Sequence, residues 1–311
     1  MAPASQQRRV MIIAGETSGD HHGARVVREM SARDPDLAFF GIGGPRMKEA
    51  GVEILVDAGR LSVVGITEVF ARLPVVLHEA GRIKKALVRR RPDLLILIDF
   101  PDFNLHMAKF ARKHGVPVLY YISPQVWAWR RGRVRKIRRY VDHMAVILPF
   151  EADFYRSHDV SATFVGHPLL DHYAEEAPQS PVWTDNEKIR VGLLPGSRYS
   201  EISRNLPVML AAARRLRDSQ KDIGFIVSMA PGIDRQWLEN FIHPYREVLD
   251  IELMPGAIDR VLVQCTLVVA ASGTVTLEAA IHGVPMVIMY HVSPVSYQLG
   301  GMLVNVDHIG L

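Results

Sequence analysis

The sequence predicts an α/β protein built from two parallel-sheet halves, and three observations carry that expectation. Short apolar runs alternate with helix-like segments along the whole chain, the pattern of β-α-β units. The run Val10-Met11-Ile12-Ile13-Ala14 ends in the turn Gly15-Glu16-Thr17-Ser18-Gly19-Asp20. In the second half, Val191-Gly192-Leu193-Leu194 ends in Pro195-Gly196-Ser197-Arg198, and a further turn, Ala271-Ser272-Gly273-Thr274, follows later. A buried strand ending in a glycine turn presents backbone N–H groups at the start of the next helix, where anions are favoured. Two halves so built are expected to form Rossmann-like nucleotide folds facing one cleft. Such a geometry suits transfer of a group from a nucleotide carrier to a second substrate.

Taken in order, the apolar runs of the first half place strands at Val10–Ala14, Ala38–Gly41, Leu94–Asp99, Val116–Ile122, His143–Leu148 and Ala162–Val165. Helical spacing falls between them at Asp20–Ala32, Val75–Arg90 and Asn104–His114. In the second half strands are expected at Arg190–Leu194, Ile223–Ser228, Ile251–Met254, Leu267–Ala271 and Met286–Met289. Helices are expected at Ser200–Arg217, Asp234–Tyr245 and Thr274–His282. Apolar periodicity lapses in the polar, proline-containing stretch Glu175–Lys188, which divides the chain into residues 1–174, a linker over 175–188, and residues 189–311.

With 311 residues and 48% apolar content, the chain can bury two cores of ordinary domain size. Its net charge of +4 is unevenly spread, so cationic patches are local. The single cysteine, Cys265, cannot form an intrachain disulfide, which points to a reducing cytoplasm. The apolar run behind Arg8-Arg9 is too short for a signal peptide, and no window approaches the roughly 20 apolar residues that span a bilayer. The ending Asp307-His308-Ile309-Gly310-Leu311 reads as an interrupted C-terminal part.

Leu61–Leu77 is more apolar than a surface connection requires, and Arg82, Lys84, Lys85, Arg89, Arg90 and Arg91 follow it. It reads either as a helix pair packed on the first sheet or as an apolar patch rimmed by cations that meets a membrane or acyl chains. Ser123-Pro124-Gln125-Val126-Trp127-Ala128-Trp129-Arg130 opens a second basic stretch containing Arg130, Arg131, Arg133, Arg135, Lys136, Arg138 and Arg139. That stretch is either a solvated helix face or a site for a phosphate or lipid headgroup. Aromatics among arginines also suit single-stranded nucleic acid, but the wider basic surface of a nucleic-acid protein is lacking.

Acidic residues at strand ends are the candidate catalysts. Asp99 closes the run Ile96-Leu97-Ile98, at the carboxyl end where open α/β sheets bind ligands. Burial beside Phe100 and Phe103 would raise its pKa and fit it to act as a general base. Glu16 is the second candidate base, while Asp102 reads as a helix-start residue. Arg198, beside Gly196 and Ser197, can neutralise charge on a departing diphosphate. Glu278 lies one helical turn beyond Thr274, where a carboxylate either binds the two hydroxyls of a ribose or makes an ordinary surface pair. Metal chemistry is not expected: the histidines are scattered, and neither an HExxH motif nor paired cysteines occur. The first turn departs from the dinucleotide fingerprint, which argues against NAD.

Together these motifs resemble the bacterial lipid A disaccharide synthases over essentially the whole chain. The matching stretches are Ala14–Asp20, Gly44–Met47, Gly65-Ile66-x-Glu68-Val69, Pro101–Asn104, Ser123–Arg130, Leu148–Glu151, Gly166–Pro168, Leu194–Arg198 and Ala271–Thr274. The resemblance implies a two-domain GT-B glycosyltransferase acting without a cofactor. Residues 1–174 would form the acceptor and membrane-facing domain, and residues 189–311 the UDP-sugar-binding domain. The reaction implied joins UDP-2,3-diacylglucosamine to 2,3-diacylglucosamine 1-phosphate, forming a β-1,6 linkage and releasing UDP. By the same resemblance Asp99 matches the essential base and Arg198 an indispensable arginine. Gly196, Ser197, Ser272, Gly273, Thr274, Glu278 and Tyr290 would hold the UDP-sugar. Val63, Val64, Ile66, Val69, Phe70, Arg130 and Arg133 would face the acylated acceptor and the inner leaflet, giving a cytoplasmic enzyme peripheral on the inner membrane. Family members continue past Leu311. A homodimer is compatible with this reading. The rival readings are another GT-B enzyme such as a UDP-N-acetylglucosamine 2-epimerase, and a non-catalytic basic peripheral or RNA-binding protein.

Overall fold

A computed structural model of the chain describes residues 7–61, 66–127, 132–175, 189–219 and 222–289. The chain divides into two compact units, Met1–Pro168 and Leu169–Leu311.

The first unit contains β1 (Arg9–Ala14), α1 (Thr17–Arg33), β2 (Ala38–Gly43), α2 (Pro45–Glu49), β3 (Glu53–Asp57), α3 (Ile66–Arg90), β4 (Leu94–Ile98), α4 (Pro101–Lys113), β5 (Val118–Tyr121), α5 (Arg133–Tyr140), β6 (His143–Val146), α6 (Pro149–Arg156) and β7 (Ala162–Phe164). Its seven strands pair in the order β3-β2-β1-β4-β5-β6-β7, and every pairing is parallel. Strands buried on both faces read as continuous apolar runs, which is why β1 and β4 stood out in the sequence. Their alternate residues serve opposite cores. Met11, Ile13, Leu95 and Leu97 pack with Ile83 and Leu87 of α3 and Met107 and Ala108 of α4. Ile12, Ala14, Ile96 and Ile98 pack with Ala24 and Val27 of α1 and Met47 of α2. Each of the Val, Leu, Ile and Met side chains among them contributes about 1.5–3 kcal/mol by leaving water.

The helix α7 (Pro168–Glu175) leads into the second unit, which contains β8 (Ile189–Leu194), α8 (Tyr199–Ser219), β9 (Ile223–Met229), α9 (Arg235–Ile242), β10 (Asp250–Pro255), α10 (Ile258–Leu262), β11 (Leu267–Ala271), α11 (Thr274–Ile281) and β12 (Met286–Met289). The strand order is β10-β9-β8-β11-β12, again wholly parallel. Val191 and Leu193 face α8 through Ile202, Leu206 and Met209, whereas Leu194, Val268 and Ala270 face α10 and α11 through Leu262 and Ala279. Cys265 is buried in this second core, and burial pushes its thiol pKa up to about 12, so it is an inert packing residue.

Three local differences from expectation have physical causes. Helix α1 starts at Thr17 rather than Asp20 because Asp20 does not cap its own helix. Its buried carboxylate accepts the backbone N–H groups of Gly44, Arg46 and Met47 at 2.6, 3.1 and 3.0 Å, and so fastens the start of α2. Helix α3 begins at Ile66 and runs through Pro74, instead of starting behind that proline. The sheet also gains an edge strand, β3, whose partly exposed Glu53-Ile54-Leu55-Val56-Asp57 lacked a strong apolar signal. Among the described residues no helix is long and apolar enough to cross a membrane.

Candidate active site

Both sheets reverse their strand order at one point, between β1 and β4 in the first unit and between β8 and β11 in the second. Open α/β sheets bind ligands at such points, outside the carboxyl ends of the strands. Of the candidates, Glu16 and Asp99 in the first unit and Gly196, Ser197, Arg198, Ser272, Gly273, Thr274 and Glu278 in the second lie there.

In the first unit, β1 delivers Glu16 and β4 delivers Asp99. The turn after β4 is tight, with Asp99 and Phe100 both left-handed at φ +43° and +50°. Two such non-glycine residues in succession cost about 1–3 kcal/mol each, which the surrounding structure must offset. Pro101 then opens α4 at its first position, where a missing N–H costs nothing. Burial raises the Asp99 pKa to about 6, with the negative charge of Glu16 acting in the same direction and a backbone hydrogen bond at Phe100 opposing both. A carboxylate of that basicity is ionised at neutral pH yet accepts a proton more readily than an ordinary aspartate. Asp102, one residue into α4, is exposed and paired with Arg133 of α5.

In the second unit a cavity of about 480 Å³ opens at the switch point, within the range of about 300–1,000 Å³ that holds small ligands. Gly196, Ser197, Arg198, Ser272, Gly273, Thr274 and Glu278 all line it. Gly196 is left-handed at φ +119°, and a Cβ there would lie 2.7 Å from Oε2 of Glu201. The backbone N–H of Ser197 donates to Oε2 of Glu201 at 3.1 Å, and Arg198 Nη1 pairs with Oε1 at 2.9 Å. Glu201 thus occupies the mouth of α8 with the charge an anionic ligand would bring. Behind the loop, buried Asn205 donates from Nδ2 to the carbonyl of Pro195 at 2.9 Å.

Glu278 shares its surroundings with a buried polar group. Tyr173 donates its hydroxyl to Oδ1 of Asp259 at 2.5 Å, and the His282 ring stands edge-on to Tyr173 at 4.9 Å. Burial, then the Asp259 charge, raise the Glu278 pKa to about 7. Its protonation therefore changes across neutral pH.

Sequence reasoning did not single out Glu201 or Asn205. Asn205 was detectable as a polar residue in the buried stripe Ile202, Leu206, Met209. Among the acceptor candidates, Arg133 is largely covered and is paired with Asp102. Trp127 donates to buried Glu151 at 3.2 Å and stacks edge-on with Phe150. Val63, Val64, Arg130 and Tyr290, together with the side chains of Ile66, Val69 and Phe70, lie outside the described residues. Among the described residues no group of three His, Cys, Asp or Glu is placed to hold a metal ion.

Solved structures of similar fold include the UDP-N-acetylglucosamine 2-epimerase of Neisseria meningitidis bound to UDP-GlcNAc. Its TM-score is 0.61 at 10% identity, over 92% of this chain and 83% of that one. A transferase from Siraitia grosvenorii in complex with UDP gives 0.55 at 13%, over 94% and 84%. At such identities the likeness shows the fold alone, and that fold is GT-B-like, the class of many glycosyltransferases and sugar-nucleotide epimerases. Sequence likeness is much more specific. The family model described as lipid-A-disaccharide synthetase matches residues 10–311. The lipid-A-disaccharide synthase of Geobacter sulfurreducens is 49% identical over 97% of this chain and 79% of its own length; that of Trichlorobacter lovleyi is 48% identical over 98% and 80%. The chain belongs to the lipid-A-disaccharide synthase family, a family of hexosyltransferases.

Proposed function

We propose that the chain transfers 2,3-diacylglucosamine from its UDP carrier to the 6-hydroxyl of 2,3-diacylglucosamine 1-phosphate, with inversion, to give the β-1,6-linked disaccharide 1-phosphate and UDP. The observation that carries this reading is the Asp99 carboxylate, partly buried at a sheet switch point and with a pKa of about 6. Asp99 takes the acceptor hydroxyl proton while the hydroxyl oxygen bonds to the anomeric carbon and the bond to the diphosphate breaks. Glu16 keeps Asp99 basic by its charge. The departing negative charge is met by Arg198, by the backbone N–H groups of Gly196 and Ser197, and by the start of α8. An exposed pair such as Arg198–Glu201 is worth about 0–1 kcal/mol, so a diphosphate can displace the Glu201 carboxylate. Ser272, Gly273 and Thr274, with Tyr290, hold the rest of the UDP, and Glu278 accepts from the ribose hydroxyls. Val63, Val64, Ile66, Val69 and Phe70, with Arg130 and Arg133, receive the acyl chains and the acceptor phosphate. The protein works from the inner face of the inner membrane, as a peripheral enzyme that can pair as a homodimer.

The test is UDP release from UDP-2,3-diacylglucosamine and the acceptor in the presence of a chelator. Asp99→Asn should lower turnover by about 10²–10⁴-fold, the usual contribution of a general base. Arg198→Ala should cost about 10²–10³-fold, as loss of a charge-stabilising donor does. Full turnover by Asp99→Asn would remove the base, and an absolute need for a divalent ion would remove the arginine-based departure.

A further inference from the structure

The carbonyl side of the Asp99-Phe100 turn is held by two buried side chains that touch no solvent. Asn104 of α4 and Tyr120 of β5 are both 0% exposed. Asn104 donates from Nδ2 to the carbonyls of Ile98 and Asp99 at 3.1 and 2.6 Å, and the Tyr120 hydroxyl donates to the same Asp99 carbonyl at 2.6 Å. The Asp99 carbonyl therefore accepts from two directions. The remaining backbone groups are also engaged: the Asp99 N–H donates to the Tyr121 carbonyl at 3.3 Å, and the Asn104 N–H to the Phe100 carbonyl at 3.0 Å.

This is more than helix capping requires. A cap on α4 would satisfy N–H groups at its start, whereas Asn104 and Tyr120 satisfy carbonyls of the preceding strand and turn. The carbonyl that both side chains hold belongs to Asp99, the first of the two left-handed residues, which relax unless the surroundings hold them. Burial drives the Tyr120 pKa well above its ordinary value, so the hydroxyl keeps its proton and remains a donor at every working pH. The Oδ1 atom of Asn104, by contrast, is buried with no hydrogen-bond partner. That amide is tolerated for the two bonds it donates.

We infer that Asn104 and Tyr120 are positioning residues, which together lock the strained Asp99-Phe100 turn and so aim the Asp99 carboxylate at its substrate. The inference rests on the reading of Asp99 as the base. Neither residue touches substrate. A displacement of about 1 Å of a reacting group can cost about 10²-fold in rate, so a lock on the backbone of the base controls turnover rather than substrate affinity.

The test uses the full chain and three variants, Asn104→Leu, Tyr120→Phe and Asp99→Asn. Each is assayed for UDP release across pH and for cooperative thermal unfolding. Asn104→Leu should lower kcat by about 10²-fold with the acceptor KM nearly unchanged. Tyr120→Phe, which loses one hydroxyl from an otherwise apolar site, should lower kcat by about 5-fold, the equivalent of one neutral hydrogen bond. In both, the pH–rate inflection should move to lower pH, because a relaxed turn lets water reach the carboxylate. A purely structural role would lower the melting temperature without moving that inflection. Should Asn104→Leu fail to fold, Tyr120→Phe decides alone. Wild-type kcat and an unmoved inflection in folded Tyr120→Phe would overturn the lock. Wild-type turnover in Asp99→Asn would instead overturn the base itself, so the two failures are distinguishable.

Discussion

A methyl group on Gly15 would lie 2.4 Å from Cδ1 of Phe100, so these two residues meet with no room for a side chain between them. This contact sets the spacing between the turn that carries Glu16 and the turn that carries Asp99. The Phe100 ring cannot easily retreat, since its backbone is left-handed and its other side packs on Phe103 at 5.4 Å. Gly15→Ala is expected to cost about 1–3 kcal/mol in urea unfolding, as overpacking does. It should lower kcat further than that loss of folded protein explains. Unchanged kcat in a folded Gly15→Ala protein would show that the spacing does not matter.

The charge of Glu16 raises the Asp99 pKa, so removing the charge should lower it. In the wild type, kcat/KM should rise with pH around an inflection near 6. Glu16→Gln should move that inflection toward the ordinary aspartate value and leave burial as the only cause raising it. An inflection that stays in place would detach Glu16 from Asp99.

The same shift predicts a stability effect. The folded-state pKa of Asp99 lies above its unfolded value, so the folded protein binds the proton more tightly and loses stability as pH rises from about 4 through 6. Asp99→Asn, which cannot ionise, should therefore be more stable than the wild type at pH 8 by about 2 kcal/mol, allowing for partial solvation. The advantage should vanish near pH 4. Urea unfolding at both values measures it, and equal stabilities at pH 8 would contradict the buried charge.

Glu278 titrates near 7, so the ribose contact proposed for it should strengthen as pH rises. UDP affinity measured by calorimetry should strengthen between pH 6 and 8. Glu278→Gln should flatten that rise, beyond whatever the phosphate of UDP contributes in both proteins. Asp259→Asn should shift the transition to lower pH, because Asp259 is the second cause of the raised pKa. A steep pH dependence surviving in Glu278→Gln would assign it elsewhere.

Much of this architecture was legible in the sequence because parallel strands must be apolar on both faces. Val10–Ala14, Leu94–Ile98 and Leu267–Ala271 announce themselves for that reason. The carboxyl end of β4 then marked Asp99, and the glycine turns marked the loops that line the second-unit cavity. Strand β3 was hidden because an edge strand with charged ends keeps only a weak pattern. Helix α5 was hidden because only Val134 and Ile137 are buried among its cations. Tyr120 could not be found by pattern: it reads as one more apolar residue of a buried strand. Its hydroxyl acquires a role only because the left-handed turn brings a carbonyl to it.

All the side chains around the second-unit cavity come from between Leu194 and Glu278, a single stretch of one folding unit. On the proposed reading, recognition of the carrier is thus modular. Under that reading, substitutions that retune which acylated sugar is accepted would accumulate in the other unit without eroding the grip on the leaving group. Selection on lipid chemistry and selection on nucleotide binding would then proceed separately within one polypeptide.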